Sequence, residues 1–164
     1  MTRISLAPSR TVPYGTPEWM NASPIASRQG LRLLQGGAAL LLLTSLFGFA
    51  IPYVAAPHLG VAAHKLAGLQ SVLMLALGLA WPRLNLNTAA LRIAFWLFMY
   101  AAFAILIAYV LAAIWGAGNE TMPLGAGTAH GSPFEEGTIR LVAYSSGPTG
   151  LISFALVLWG LRAG

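Results

Sequence analysis

The 164-residue chain contains no cysteine. Disulfides, iron–sulfur clusters, thiolate-ligated haem and cysteine-based zinc sites are therefore excluded, as is covalent c-type haem attachment. Charge is nearly as scarce. Only 8% of residues are Asp, Glu, Lys or Arg, against about a quarter in a soluble domain. With 57% hydrophobic residues, that shortage excludes most soluble classes, and a disordered chain too, which needs low hydrophobicity and high charge. Acids are the rarest charged groups, four against nine basic residues, leaving a net charge of +5. The basic residues are scattered and mostly flank apolar runs, which fits membrane orientation rather than a nucleic-acid footprint. A Gly-rich phosphate loop and a His-x-x-x-His pair are also missing.

What the chain has instead is four apolar runs, each near the roughly 20 residues that cross a bilayer core. They extend over about Leu33–Val54, Val61–Trp81, Leu91–Trp115 and Ile139–Leu161. None alternates, so they read as helices rather than barrel strands. The fold expected is an all-α, integral membrane four-helix bundle over residues 31–164. Residues 1–30 hold four prolines and no apolar period. They read as an irregular cytoplasmic segment, with Tyr14 and Trp19 at the interface. No signal peptide is expected, because the first apolar run lies beyond residue 30 and is long enough to span.

Orientation follows from the basic residues. Arg3, Arg10, Arg28 and Arg32 precede the first run, Arg83 and Arg92 flank the connection between the second and third, and Arg162 follows the fourth. The stretch Gly116–Gly137 has no Lys or Arg and holds Glu120, Glu135 and Glu136. Both termini are therefore expected on the cytoplasmic side of the cell inner membrane. Small residues (Gly68, Ser71, Ala76, Gly78; Ala101, Ala102, Ala104, Ala108) allow close helix approach in the second and third segments.

Polar groups at membrane depth are expensive unless paired or useful. His64 lies about one turn inside the start of the second segment, and Gln70 roughly 14 Å in from Val61. Tyr109 lies roughly 9 Å before Trp115 on the antiparallel third segment. All three fall in neighbouring layers of the outer half of the bundle. Gly68 and Ser71 share a face with His64, whereas Gln70 points about 120° away. Gly68 leaves room beside His64 for a flat ligand such as a macrocycle, and Gln70 could face an equivalent ligand on a neighbouring subunit. Two readings of His64 stay open: an axial ligand to haem iron, or an interfacial imidazole bonded to a carbonyl or headgroup. Tyr109 and Gln70 can equally be interhelical hydrogen-bonding groups. Lys65 reads as a snorkelling side chain, and His58 and His130 as solvated loop residues. Glu135-Glu136 reads as a solvated patch on an exposed loop, and Gly147-Pro-Thr-Gly150 as a break or flexible point within the fourth helix. Ser145 and Ser146 have no nearby His or acid for a hydrolase triad.

Several segments, in order, carry a family resemblance over about residues 30–164. They are Gly48-Phe-Ala-Ile-Pro52, Ala63-His64, Ala112-Ala-Ile-Trp-Gly-Ala-Gly118, Met122-Pro123, His130-Gly131 and Leu156-Val-Leu-Trp-Gly-Leu161. In these the chain resembles the small four-span hydroxylaminobenzene mutases and, more distantly, the styrene oxide isomerases. The resemblance implies a homotrimer with b-type haem between subunits and His64 as axial iron ligand, Gly68 lying beside it. Gln70 matches an Asn of the isomerases, one methylene shorter, and Tyr109 a helix-3 Tyr; both would assist catalysis. A Trp/Tyr-Ala-Asn stretch of that family is here Phe103-Ala104-Ile105, so one polar group is lost. The implied activity is Lewis-acid rearrangement at ferric haem of a small apolar aromatic substrate drawn from the lipid bilayer. An N-aryl hydroxylamine would give a 2-aminophenol. The alternatives are epoxide-to-aldehyde isomerisation and a non-catalytic membrane bundle; no nucleic-acid partner is expected.

Overall fold

A computed structural model describes residues 23–128 and 130–162, and within them every regular element is helical. Tyr14 and Trp19 lie outside the described residues. Helix α1 spans Pro24–Ala50, α2 Pro57–Ala80, α3 Thr88–Trp115, the short α4 Pro123–Ala126 and α5 Pro133–Arg162. Single 3₁₀ turns, Ile51–Tyr53 and Trp81–Arg83, close α1 and α2. The four long helices are each long and apolar enough to cross a membrane, which makes the chain a multi-pass membrane protein.

All four long helices begin earlier than their apolar runs, α1 and α5 by the most. α1 starts at Pro24, not Leu33, because Ser23 caps it: its hydroxyl accepts from the Ala26 N–H at 3.2 Å, and Pro24 sits where no N–H is needed. The boundary expected at residue 30 therefore falls inside a helix. Arg28 and Arg32 do not interrupt it, since both lie on its exposed face. α5 starts at Pro133, not Ile139, through a capping box. The Ser132 hydroxyl accepts from the Glu135 N–H at 3.4 Å, and Glu135 Oε2 accepts from the Ser132 N–H at 2.7 Å.

The break expected at Gly147-Pro-Thr-Gly150 does not occur; α5 runs straight through Pro148. Hydroxyls occupy the surrounding carbonyls. Ser145 donates to the Val142 carbonyl, Ser146 to Ala143, and Thr149 to both Ser145 and Ser146. These bonds flank the proline, but none of the four ends on the Tyr144 carbonyl that its missing N–H leaves free.

The bundle is built from two close pairs, α1 on α2 and α3 on α5, joined by α2 against α3. The first pair repeats every seven residues. A Cβ on Gly30 would meet the Gly78 carbonyl oxygen at 2.8 Å, and one on Gly37 the Ser71 carbonyl oxygen at 2.9 Å. One heptad further on, the same register brings Thr44 level with His64. Ser71 and Gly78 thus serve the close approach read from the sequence, while Gly68 faces open space. The core divides lengthwise. Near the chain termini Leu33, Met74, Trp81, Phe95 and Phe98 pack together, with Trp81 Nε1 donating to Gln29 Oε1 at 3.0 Å. At the far end Leu59, Ile139 and a set of alanines from α3 form a second cluster.

That far end is closed by Glu136. Only 3% exposed, its carboxylate accepts from the backbone N–H groups of Gly118 (2.7 Å), Gly131 (3.1 Å), Asn119 (3.2 Å) and Glu120 (3.3 Å). The solvated pair expected at Glu135-Glu136 is thus a cap and a buried clasp. The reason is local: Gly116 and Gly118, both at positive φ, turn the chain after α3 so that successive N–H groups face one point. Arg140 adds an exposed ion pair to Glu120 at 3.0 Å.

Candidate active site

His64 projects from α2 onto α1, its Cε1 3.3 Å from where a Gly48 Cβ would stand. Gly48 is thus what admits an imidazole between these helices. The ring is half-buried, and its Nδ1 is buried without a hydrogen-bond partner. Thr44 Oγ1, one turn earlier on α1, is also buried and unpartnered. It is unusual in this: Ser45 and Ser71 turn their hydroxyls onto the preceding turn of their own helices. One turn beyond His64, a Cβ on Gly68 would have no atom within 4 Å. Gly68 thus meets no neighbouring helix within the chain. Lys65, on the outward side of the same turn, is exposed.

Gln70 lies in a different place. It lines a cavity of about 180 Å³ with Phe98, Ala101 and Ile105 of α3 and Ser146 and Phe154 of α5. Its Oε1 is buried and unpartnered as well. Within one chain His64 and Gln70 thus face separate spaces, as helical periodicity requires of residues six apart. Tyr109 is half-buried and packs against the far-end cluster. Ile105 gives the Gln70 cavity an apolar wall.

Ser145 and Ser146, set aside in the sequence for want of a triad, take part in two features of this region. Ser146, only 8% exposed, faces the Gln70 cavity but spends its proton on the Ala143 carbonyl. Tyr100 and Ser145 share a hydrogen bond of 2.7 Å between α3 and α5. Only long-range pairing brings these residues together, so local spacing carries no signal of them. His58, in the first turn of α2, and His130 are both exposed. Among the described residues no group of three His, Asp or Glu side chains could cage a metal.

Buried polar groups left open in an apolar bundle are the mark of a site rather than of a scaffold. The family model described as styrene oxide isomerase matches residues 29–162. Hydroxylaminobenzene mutase HabB of Ectopseudomonas oleovorans is 43% identical over 132 residues, covering 80% of each chain. Hydroxylaminobenzene mutase HabA of the same organism is 32% identical over 129 residues, 79% of this chain and 96% of the relative. No solved structure matches. The chain therefore belongs to the styrene oxide isomerase family and is an isomerase.

Proposed function

We propose that this protein is a haem-dependent isomerase that converts N-aryl hydroxylamines to 2-aminophenols within the cell inner membrane. The observation that carries the reading is the unpartnered imidazole of His64 beside the open space at Gly68. A single imidazole without further protein ligands suits a metal whose remaining positions a macrocycle fills. Bound there, ferric haem would supply Lewis acidity in a site that excludes water.

The reaction is an isomerisation with no net redox change. The nitrogen–oxygen bond breaks, an oxygen–carbon bond forms at the ortho position, and the ring proton lost there is replaced by one on nitrogen. The chain's own groups have three tasks. His64 holds the cofactor through one nitrogen and offers the other as a hydrogen-bond donor. The Tyr109 phenol donates a hydrogen bond to the oxygen being transferred, and the Gln70 amide orients the polar end of the substrate. The apolar wall of Phe98, Ala101 and Ile105 receives the aryl ring. Preorganised donors act strongly in such a dry site.

Because His64 and Gln70 face apart within one chain, this reading needs a neighbouring copy. His64 of one subunit then meets Gln70 and Tyr109 of the next, in a homotrimer with haem in each interface and the termini on the cytoplasmic side. Exposed apolar side chains such as Leu42, Leu43, Leu46 and Phe49, between 58% and 80% exposed, leave α1 ample surface for lipid and a partner helix.

Epoxide-to-aldehyde isomerisation is the second reading, favoured by the family description. Detergent-purified protein assayed with phenylhydroxylamine and with styrene oxide separates the two. The wild type is expected to show a Soret band that shifts on dithionite reduction, and His64→Ala to lose both band and turnover. A His64→Ala protein with full haem occupancy would overturn the assignment.

A further inference from the structure

Positive charge converges at the end of the bundle that carries the chain termini. Arg28 and Arg32, one turn apart on α1, and Arg92 of α3 line a cleft of about 360 Å³, with Gln29, Phe95 and Trp96 completing it. Among the described residues none of these guanidinium groups has a carboxylate within ion-pair distance. The described acids, Glu120, Glu135 and Glu136, all lie at or beside the opposite, loop-bearing end. Gln29 is 7% exposed and its Oε1 is engaged by Trp81 Nε1, so only its amide N–H groups remain to offer a ligand. Trp96 is 64% exposed.

We propose that this cleft between α1 and α3 binds a phosphate-bearing anion, with Arg28, Arg32 and Arg92 as its ligands. Topology alone accounts for arginines near this end but not for their convergence on one cavity. Arg83 and Arg162 belong to the same end and line no part of it. Three like charges in one cleft repel each other until an anion joins them. A phosphate matches the need, because guanidinium groups grip its oxygens in pairs and tolerate partial dehydration. Phe95 and Trp96 give the cleft an apolar flank that a lone inorganic ion would not use but a phospholipid, with its chains beside Trp96, would. The basic end is the one that faces the anionic cytoplasmic leaflet under the positive-inside rule.

The test uses the full chain in a neutral detergent, with dioleoyl phosphatidylglycerol, dioleoyl phosphatidylcholine and inorganic phosphate as probes. Native mass spectrometry reads retained lipid, and the thermal midpoint reads all three probes. Phosphatidylglycerol is expected to be retained over phosphatidylcholine and to raise the midpoint. Each Arg→Gln change at 28, 32 or 92 should weaken it by about fivefold. The double variant Arg83→Gln/Arg162→Gln should bind as the wild type does. A rise in midpoint with inorganic phosphate equal to that with phosphatidylglycerol would identify a soluble phosphate as the ligand; a rise with the lipid alone would identify a headgroup. Equal retention of the two lipids by the wild type, or undiminished phosphatidylglycerol binding in the triple variant, would overturn the proposal.

Discussion

Two buried polar regions of this bundle stand in opposite states. At the loop end a carboxylate, Glu136, is enclosed and accepts four backbone hydrogen bonds. In the membrane layer His64, Gln70 and Thr44 each leave one buried side-chain atom without a partner. Burying a polar group without a hydrogen bond carries a penalty, larger for a charge than for a neutral group. The charged group is the one the fold satisfies in full, and it holds the α3–α5 connection in shape. One region is architecture; the other contains His64 and Gln70, the residues proposed to hold cofactor and substrate.

Substitutions at the two regions should therefore change stability in opposite directions. Glu136→Ala has the largest expected effect. It strands four N–H groups and should lower unfolding free energy in detergent by about 3 kcal/mol or more, since bonds to charged groups contribute about 1.5–3 kcal/mol each but never add in full. A loss under about 1 kcal/mol, measured by denaturant titration, would mean that water replaces the clasp. Gln70→Leu is expected to do the reverse. Removing an unsatisfied amide should leave stability unchanged or raise it by about 1 kcal/mol, while turnover falls sharply. If Gln70→Leu unfolds as easily as Glu136→Ala, the contrast between the regions disappears. Arg140→Gln is the smallest change. Its ion pair with Glu120 is about half exposed on both sides, so the expected loss is below about 0.5 kcal/mol and vanishes at high salt.

The four spans were legible because lipid leaves so little choice: long apolar runs that do not alternate have to be helices. Their starts were less so, for a reason that differs at each end. At α1 the eye follows hydrophobicity and stops at Arg28 and Arg32, although Ser23-Pro24 is the stronger signal of where the backbone begins to coil. At α5 two adjacent acids read as surface, yet Ser132 and Glu135 stand at capping-box spacing, and that pattern was present to be read. The burial of Glu136 could not be read in the same way. It depends on a turn after Gly116 that returns the chain over a residue eighteen positions downstream.

Within the site, the angular separation of His64 and Gln70 followed from helical period alone and is what the bundle displays. The identity of the neighbour that each faces did not follow. That α1 would yield to an imidazole at Gly48, and that α3 and α5 would open beside Gln70, are properties of which helices pair, information spread over the whole chain. Pro148 teaches the same lesson from the other side. The helix continues through it although local propensity favours a break.

The cavity beside Gln70 sits on the seam between the α1–α2 and α3–α5 pairs, with Phe154, 43% exposed, at its rim. A molecule entering along that seam arrives sideways, from among acyl chains, and never presents itself to the protein at its aqueous concentration. What the site senses is the mole fraction of solute in the surrounding hydrocarbon. Adding lipid at fixed total solute dilutes the ligand without touching the protein, so half-saturation measured per litre of water will drift with vesicle content. Expressed per lipid, it will hold still.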